Sequence, residues 1–410
     1  MPTAFPDLSA LSPAEPAPLQ RVEQVGDPSS NALVHADNLV VLSGMPTASV
    51  QAVYIDPPYN TGTDFQHYTD ALSRREWLAY MAARLVELRR VLRPEGSLWV
   101  QVDDNQVDYL RVLLDDIFGE DSLVSRVTVR ARAPSAFSTV NRGVFKASEY
   151  LLWVARDRSR LCWTPQRVPR DPDPAYTRWI VDPTLPPERW VLSTVRAEYK
   201  ARTGARRFRR DDSACRRFIV DHARHVFRLA PISDTKAGAA TVALKQQSRL
   251  EPDRVFVLDR GPKLQPVVVC NGQQIITYDR NVTVVDGVRT ASTPLTNIWT
   301  DLRWEGIARE GGVRFKQGKK PERLLRRVLQ LCTRPGDHVL DCFGGSGTTA
   351  AVAHKMGRRW TLIERGLQAR THALPRLRSI VAGEEPTGVS ALTGWRGGGG
   401  FGVYVPREAE

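Results

Sequence analysis

Residues 339–349 read Val339-Leu340-Asp341-Cys342-Phe343-Gly344-Gly345-Ser346-Gly347-Thr348-Thr349. The pattern predicts a buried strand over 338–343, a tight loop over 344–347, and a helix over 348–356 closed by Gly357. Such a unit lets backbone amides approach a ligand closely and aims a helix N-terminus at it. Arg359–Glu364 reads as the next strand. Glu364 falls twenty residues after Gly344, where an acid commonly grips ribose hydroxyls. Together these predict a wound sheet with a site for a ribose-bearing cofactor. No Lys of the P-loop kind is present, which disfavours ATP or GTP. Position 350 is Ala, so the turn also departs from G-x-G-x-x-G. A glycine turn needed only for packing is the alternative at this point.

Working outward, Leu324, Leu325, Val328 and Leu331 form one helical face behind Pro321, which suits a first helical turn. Far upstream, Gln51–Ile55 reads as a buried strand ending at Asp56-Pro57-Pro58-Tyr59. Two prolines make that strand end rigid and remove its N–H donors, so it presents a carboxylate, carbonyls and a ring. Acceptors of this kind bind an exocyclic amino group while the Tyr ring stacks on a base. Ser73 and Glu76 form a capping box ahead of Trp77, Met81, Leu85, Leu88 and Leu92 at helical spacing. A strand over 97–102, a helix over 105–118 and a strand over 149–156 continue the α/β alternation, with a loop over 131–148.

The 410 residues are 42% hydrophobic and 25% charged, an ordinary globular balance. No run approaches the roughly 18 apolar residues of a membrane span. The first residues lack the basic and apolar regions of an export signal, so a cytoplasmic protein is expected. Five scattered cysteines contain no C-x-x-C pair, and no metal site is expected. The net charge is +13, with 49 Arg against 9 Lys. Eleven basic and four acidic residues crowd between Arg196 and Arg228, which points to a polyanionic partner. Arg202, Arg206, Arg207, Arg209, Arg210, Arg216 and Arg217 are the candidate phosphate contacts. The expected organisation is a flexible tail over 1–30, a first catalytic part over 31–160, and a basic, partly β insertion over 161–298. A second, cofactor-binding part over 299–382 and a Gly-rich tail over 383–410 follow.

The run from Val53 to Gly62, with Asp341 to Thr349 downstream, resembles the S-adenosylmethionine-dependent amino-methyltransferases of DNA. Their D-P-P-Y and F-x-G-x-G motifs match at Asp56 to Tyr59 and at Phe343, Gly345 and Gly347. The motif order resembles the β-class permutation, in which a target-recognition domain lies between the two. Gly96 to Asn105, Lys320-Pro321-Glu322 and Asp37-Asn38 add similarity to modification subunits of type III restriction systems and their stand-alone relatives. The resemblance covers roughly residues 32–156 and 298–381, and the insertion resembles no named domain.

The resemblance implies a circularly permuted Rossmann-like α/β sheet with S-adenosylmethionine as cofactor. It assigns Asp56, Pro57, Pro58 and Tyr59 to catalysis. Asp37, Asn38, Lys320, Asp341, Phe343, Gly345, Ser346, Gly347, Thr348 and Glu364 fall to the cofactor. Double-stranded DNA is the implied substrate, and a restriction endonuclease subunit and a homodimer are the implied partners. Asp rather than Ser at the first motif position favours adenine-N6 over cytosine-N4. The chain lacks the Pro-Cys pair of cytosine-C5 chemistry. A sequence-recognition subunit that positions a partner nuclease is the reading from another class, and intact motifs argue against it. Protein or RNA amino-methylation is a third option, against which stands Asp56, because those families tend to carry Asn there.

Overall fold

A computed structural model describes residues 5–11, 14–59, 72–132, 144–315 and 318–407. Asn60-Thr61-Gly62, and all but the ends of the loop expected over 131–148, lie outside these described residues. The chain divides into two compact units, residues 1–165 with 296–410, and residues 166–295.

The first unit opens with β1 (Leu19–Gly26), β2 (Ala32–Val34), α1 (Asn38–Gly44) and β3 (Val50–Ile55). Then come α2 (Arg74–Val91), β4 (Leu92–Val102), α3 (Val107–Phe118), β5 (Leu123–Arg130) and β6 (Ser148–Ala155). Helix α2 starts on the predicted capping box and buries Trp77, Met81, Leu85 and Leu88. The helix ends at Val91, ahead of Pro94 and Gly96. They lie within β4, which begins immediately at Leu92.

The second unit holds β7 (Arg167–Pro169), β8 (Arg178–Ile180), β9 (Leu192–Thr194), α4 (Val195–Thr203) and α5 (Ser213–Asp221). Strand β10 (Val226–Pro231), α6 (Ala239–Leu250), β11 (Val255–Leu258), β12 (Val267–Cys270) and β13 (Gln273–Thr277) follow. It closes with β14 (Val282–Val285) and β15 (Val288–Pro294). A six-stranded sheet runs β11-β12-β13-β10-β8-β9, and a three-stranded one runs β14-β15-β7. Asn271 and Gly272 turn the β12–β13 hairpin with φ of 47° and 68°, as a type I′ turn requires. Helices α4 to α6 are additions to the expected partly β insertion. Their apolar faces are short and interrupted by charged and polar residues, which hides the period.

The chain then returns to the first unit with β16 (Ile298–Trp299), α7 (Glu322–Cys332), β17 (His338–Asp341), α8 (Thr348–Lys355), β18 (Arg359–Ile363), α9 (Leu374–Ala382) and, after a four-residue helix, β19 (Gly400–Pro406). Its ten-stranded sheet runs β1-β19-β2-β18-β17-β3-β4-β6-β5-β16. From β19 to β4 every neighbour is parallel, while β6 runs antiparallel between β4 and β5. This is the wound, Rossmann-like α/β architecture the motifs predict.

Three boundaries are corrected. Residues 19–26 are not a flexible tail, because β1 pairs antiparallel with β19 along its length. Nor is the Gly-rich end a tail. Gly400 pairs with Gly26, and a Cβ on Gly400 would collide with the Asp27 backbone, so close backbone approach explains glycine there. The insertion spans 166–295 rather than 161–298. The Cys162 N–H donates to the Glu95 carbonyl and the Thr164 N–H to the Leu331 carbonyl, while β16 pairs with β5.

Candidate active site

Strands β17 and β3 are parallel neighbours, with Val339 beside Ala52 and Leu340 beside Val53. From β17 the chain crosses through α8 to β18, on one side. From β3 it crosses through α2 to β4, on the other. Crossovers that diverge in this way open a crevice at the carboxyl ends of the two strands, where α/β sheets bind ligands. Asp341 ends β17 and Asp56 follows β3, so both predicted motifs stand at that crevice. A cavity of about 680 Å³ occupies it. Its walls include Asp37, Asp56, Tyr59, Lys320, Phe343 and Glu364.

On the β17 side, Gly345 and Gly347 take φ of 49° and 78°, which side-chain-bearing residues rarely adopt. The Asp341 carboxylate accepts the Phe343 N–H at 2.9 Å and the Thr349 hydroxyl at 2.6 Å. Burial nevertheless pushes its pKa up to about 7. Glu364 accepts the N–H groups of Gly345 at 2.7 Å and Gly366 at 2.6 Å, and burial raises its pKa as well. Asn38 donates to the Cys342 carbonyl at 2.8 Å and accepts from Arg84 Nε at 2.7 Å. Asp37 caps α1 and lies 3.6 Å from Arg84 and 3.8 Å from Arg365. Ser346 and Thr348 share a 3.2 Å contact, and fully buried Arg376 donates to Thr348 at 2.8 Å and to Glu322 at 2.7 Å. A cavity of this size, with two carboxylates, a glycine turn and the rings of Phe343 and Tyr80, fits a nucleoside-bearing cofactor such as S-adenosylmethionine.

On the β3 side, the Trp77 indole donates to the Pro58 carbonyl at 2.7 Å and Gln106 to the Tyr59 carbonyl at 3.1 Å, which pins the Pro-Pro turn. The Tyr59 hydroxyl donates to Asp56 Oδ1 at 2.5 Å, and the Lys320 ammonium lies 2.8 Å from Oδ2. Burial raises the Asp56 pKa against the opposing pull of Lys320. For Lys320 itself, burial works against the charge, yet Asp56 and Glu149 hold its pKa above the ordinary lysine value. Lys320, expected at the cofactor, lines the same cavity. Its ammonium also pairs with the Asp56 carboxylate, because Pro321 is the N-cap of α7, which packs beside β3.

Sequence reasoning missed Glu149, Gln101 and Tyr54. Gln101 donates to Glu149 at 2.6 Å and accepts from the Tyr54 hydroxyl at 2.6 Å. A carboxylate within the otherwise apolar β6 was the available signal. It also missed Arg376, which joins Glu322 and Lys355 beneath the glycine turn; Lys355 lies 2.9 Å from Glu322.

In the second unit the candidate arginines divide. Arg202 pairs with Glu198 at 3.2 Å, Arg216 with Asp171 at 2.7 Å and Arg217 with Asp221 at 2.8 Å. Arg210 donates to the carbonyls of Pro174 and Tyr176. Arg206, Arg207 and Arg209 are exposed between α4 and α5. Tyr199, Phe218 and Phe227 are buried in the unit's core.

A family model described as DNA methylase, covering N6 and N4 enzymes, matches residues 50–374. The chain belongs to this family. The match runs from β3 to the start of α9, so both halves of the crevice fall within it. The chain is 28% identical over 413 residues to a probable type III restriction-modification enzyme HindVI Mod subunit of Haemophilus influenzae, across 93% of this chain and 54% of that protein. It is 25% identical to the type III EcoPI Mod subunit of Escherichia phage P1, across 80% of this chain and 55% of that one. With the type II methyltransferase M.EcaI of Enterobacter cloacae the identity is 23%, across 87% and 71%. The chain thus spans about half the length of the type III relatives. Among solved structures, it is similar to PvuII DNA methyltransferase, cytosine-N4-specific, at 14% identity and a TM-score of 0.40, covering 84% of this chain and 86% of that one. Among the described residues, no helix is long and apolar enough to cross a membrane.

Proposed function

We propose that the chain transfers a methyl group from S-adenosylmethionine to the N6 amine of adenine in duplex DNA, at one short sequence. The observation that carries this reading is the placement of Asp56 and Asp341 at the carboxyl ends of adjacent strands around one cavity. Membership of the DNA methylase family supports it, as does similarity to type III modification subunits.

The β17 side would hold the cofactor. Glu364 would take the ribose hydroxyls, Phe343 would pack on the base, and the turn at Gly345 to Thr348 would line its bed, with Asp37, Asn38 and Asp341 around it. S-adenosylmethionine bound there supplies an activated sulfonium methyl. On the β3 side, Asp56 and the Pro57 carbonyl would accept the hydrogens of the target amine, and the Tyr59 ring would stack on the flipped base. Accepting those hydrogens frees the nitrogen lone pair to attack in line, with no covalent enzyme intermediate. Positioning supplies most of the acceleration. In the second unit, Arg206, Arg207 and Arg209 are the free candidates for phosphate contact. A restriction endonuclease subunit and a second copy of the chain are the partners this reading expects. The test is incubation with tritiated S-adenosylmethionine and duplex DNA. Label in the DNA supports the reading, and label absent from DNA contradicts it.

A further inference from the structure

Glu149 Oε2 gathers three donors: Gln101 Nε2 at 2.6 Å, the Tyr59 hydroxyl at 3.2 Å and Lys320 Nζ at 3.6 Å. Two of these are the groups that hold Asp56. Both the Tyr59 hydroxyl and the Lys320 ammonium therefore lie between two carboxylates, and only about 7–9% of the Lys320 and Glu149 side chains is exposed. A buried charge is tolerated only when paired, and one ammonium here serves two carboxylates. An amine arriving at Asp56 needs a free acceptor on it. The Tyr59 hydroxyl is the donor able to vacate, because Glu149 is already within hydrogen-bonding reach.

We propose that Glu149 and Lys320 are a positioning pair for Asp56. Lys320 keeps the Asp56 carboxylate ionised and aimed. Glu149 anchors Lys320 and takes over the Tyr59 hydroxyl when a target amine engages Asp56. This inference rests on the reading of Asp56 as the acceptor for that amine.

The pair makes a signed prediction about pH. The titratable groups facing Asp56 are Lys320 before α7, Glu149 on β6, Tyr54 on β3, Tyr59 beyond it, and Asp341 at the end of β17. Lys320 is the cation among them. Replacing it by Met leaves Asp56 harder to ionise, so the acid limb of kcat moves to higher pH. Glu149→Gln removes a repelling charge and leaves Lys320 to Asp56 alone, so the limb moves to lower pH. A merely structural role would lower kcat without these opposed displacements.

The experiment measures kcat, KM for S-adenosylmethionine and the pH profile of methyl transfer to duplex DNA. It compares the full wild-type chain with Glu149→Gln, Lys320→Met and Lys320→Arg, each checked for folding by calorimetric binding of S-adenosylmethionine. Glu149→Gln should lose kcat by on the order of 10- to 100-fold. Its KM for the cofactor should hold, its acid limb should fall in pH, and Lys320→Arg should recover part of what Lys320→Met loses. An active wild type beside a Glu149→Gln variant with unchanged kcat and limb overturns the pair alone. Displacement of both limbs in one direction does the same. A wild-type chain that methylates no DNA overturns the reading beneath it as well.

Discussion

Glu364 Oε2 accepts the backbone N–H of Gly345 at 2.7 Å, which ties the acid that follows β18 to the glycine turn that follows β17. The contact makes the turn and its acid one preformed bed. Glu364→Ala should weaken S-adenosylmethionine binding by on the order of 10- to 100-fold, the loss of one or two charge-assisted hydrogen bonds. Isothermal calorimetry checks it. Unchanged affinity would take Glu364 out of the cofactor site.

Asp341 gives a stability signature. Its folded pKa lies near 7, above the ordinary aspartate value of 3.8. Between roughly pH 4 and pH 7 the folded chain therefore binds more protons than the unfolded one, and stability falls as pH rises. Asp341→Asn removes this titration, so its stability relative to wild type should climb across that window by up to a few kcal/mol. Denaturant midpoints of both proteins at several pH values decide. A pH-independent difference would mean the carboxyl titrates normally.

How far the sequence carried depends on what each element needed from distant partners. The strands and helices around the two motifs were legible because Asp341 to Thr349 and Val53 to Tyr59 carry local signals: apolar runs, positive-φ glycines and prolines. Strand β19 was not, since the glycine at 400 is explained by the close approach of the Asp27 backbone across the sheet. Lys320 was legible as a site residue, but its ion pair with Asp56 was not. Its contact with Asp56 depends on how α7 enters beside β3, which no spacing reveals. Glu149 lies 93 residues from Asp56 and meets it through pairing of β6 with β4.

The arginine cluster should behave as two groups. Neutralising Arg206, Arg207 and Arg209 together should reduce the slope of log affinity against log salt for duplex DNA by up to about 3. Arg210→Ala should instead destabilise the second unit, because its guanidinium is spent on the carbonyls of Pro174 and Tyr176. Fluorescence anisotropy titrations at several salt concentrations read the first effect and thermal unfolding the second. An unchanged slope in the triple variant would make this segment plain solvated surface.

The most direct test of the account is nucleoside mass spectrometry of DNA from cells expressing either wild type or Asp56→Ala. The wild-type chain should yield N6-methyladenine. Asp56→Ala should yield none while keeping its calorimetric affinity for S-adenosylmethionine, since the cofactor bed lies on the β17 side. N4-methylcytosine alone would contradict the adenine assignment, and methylated DNA from Asp56→Ala would contradict the assignment of the chemistry to the end of β3.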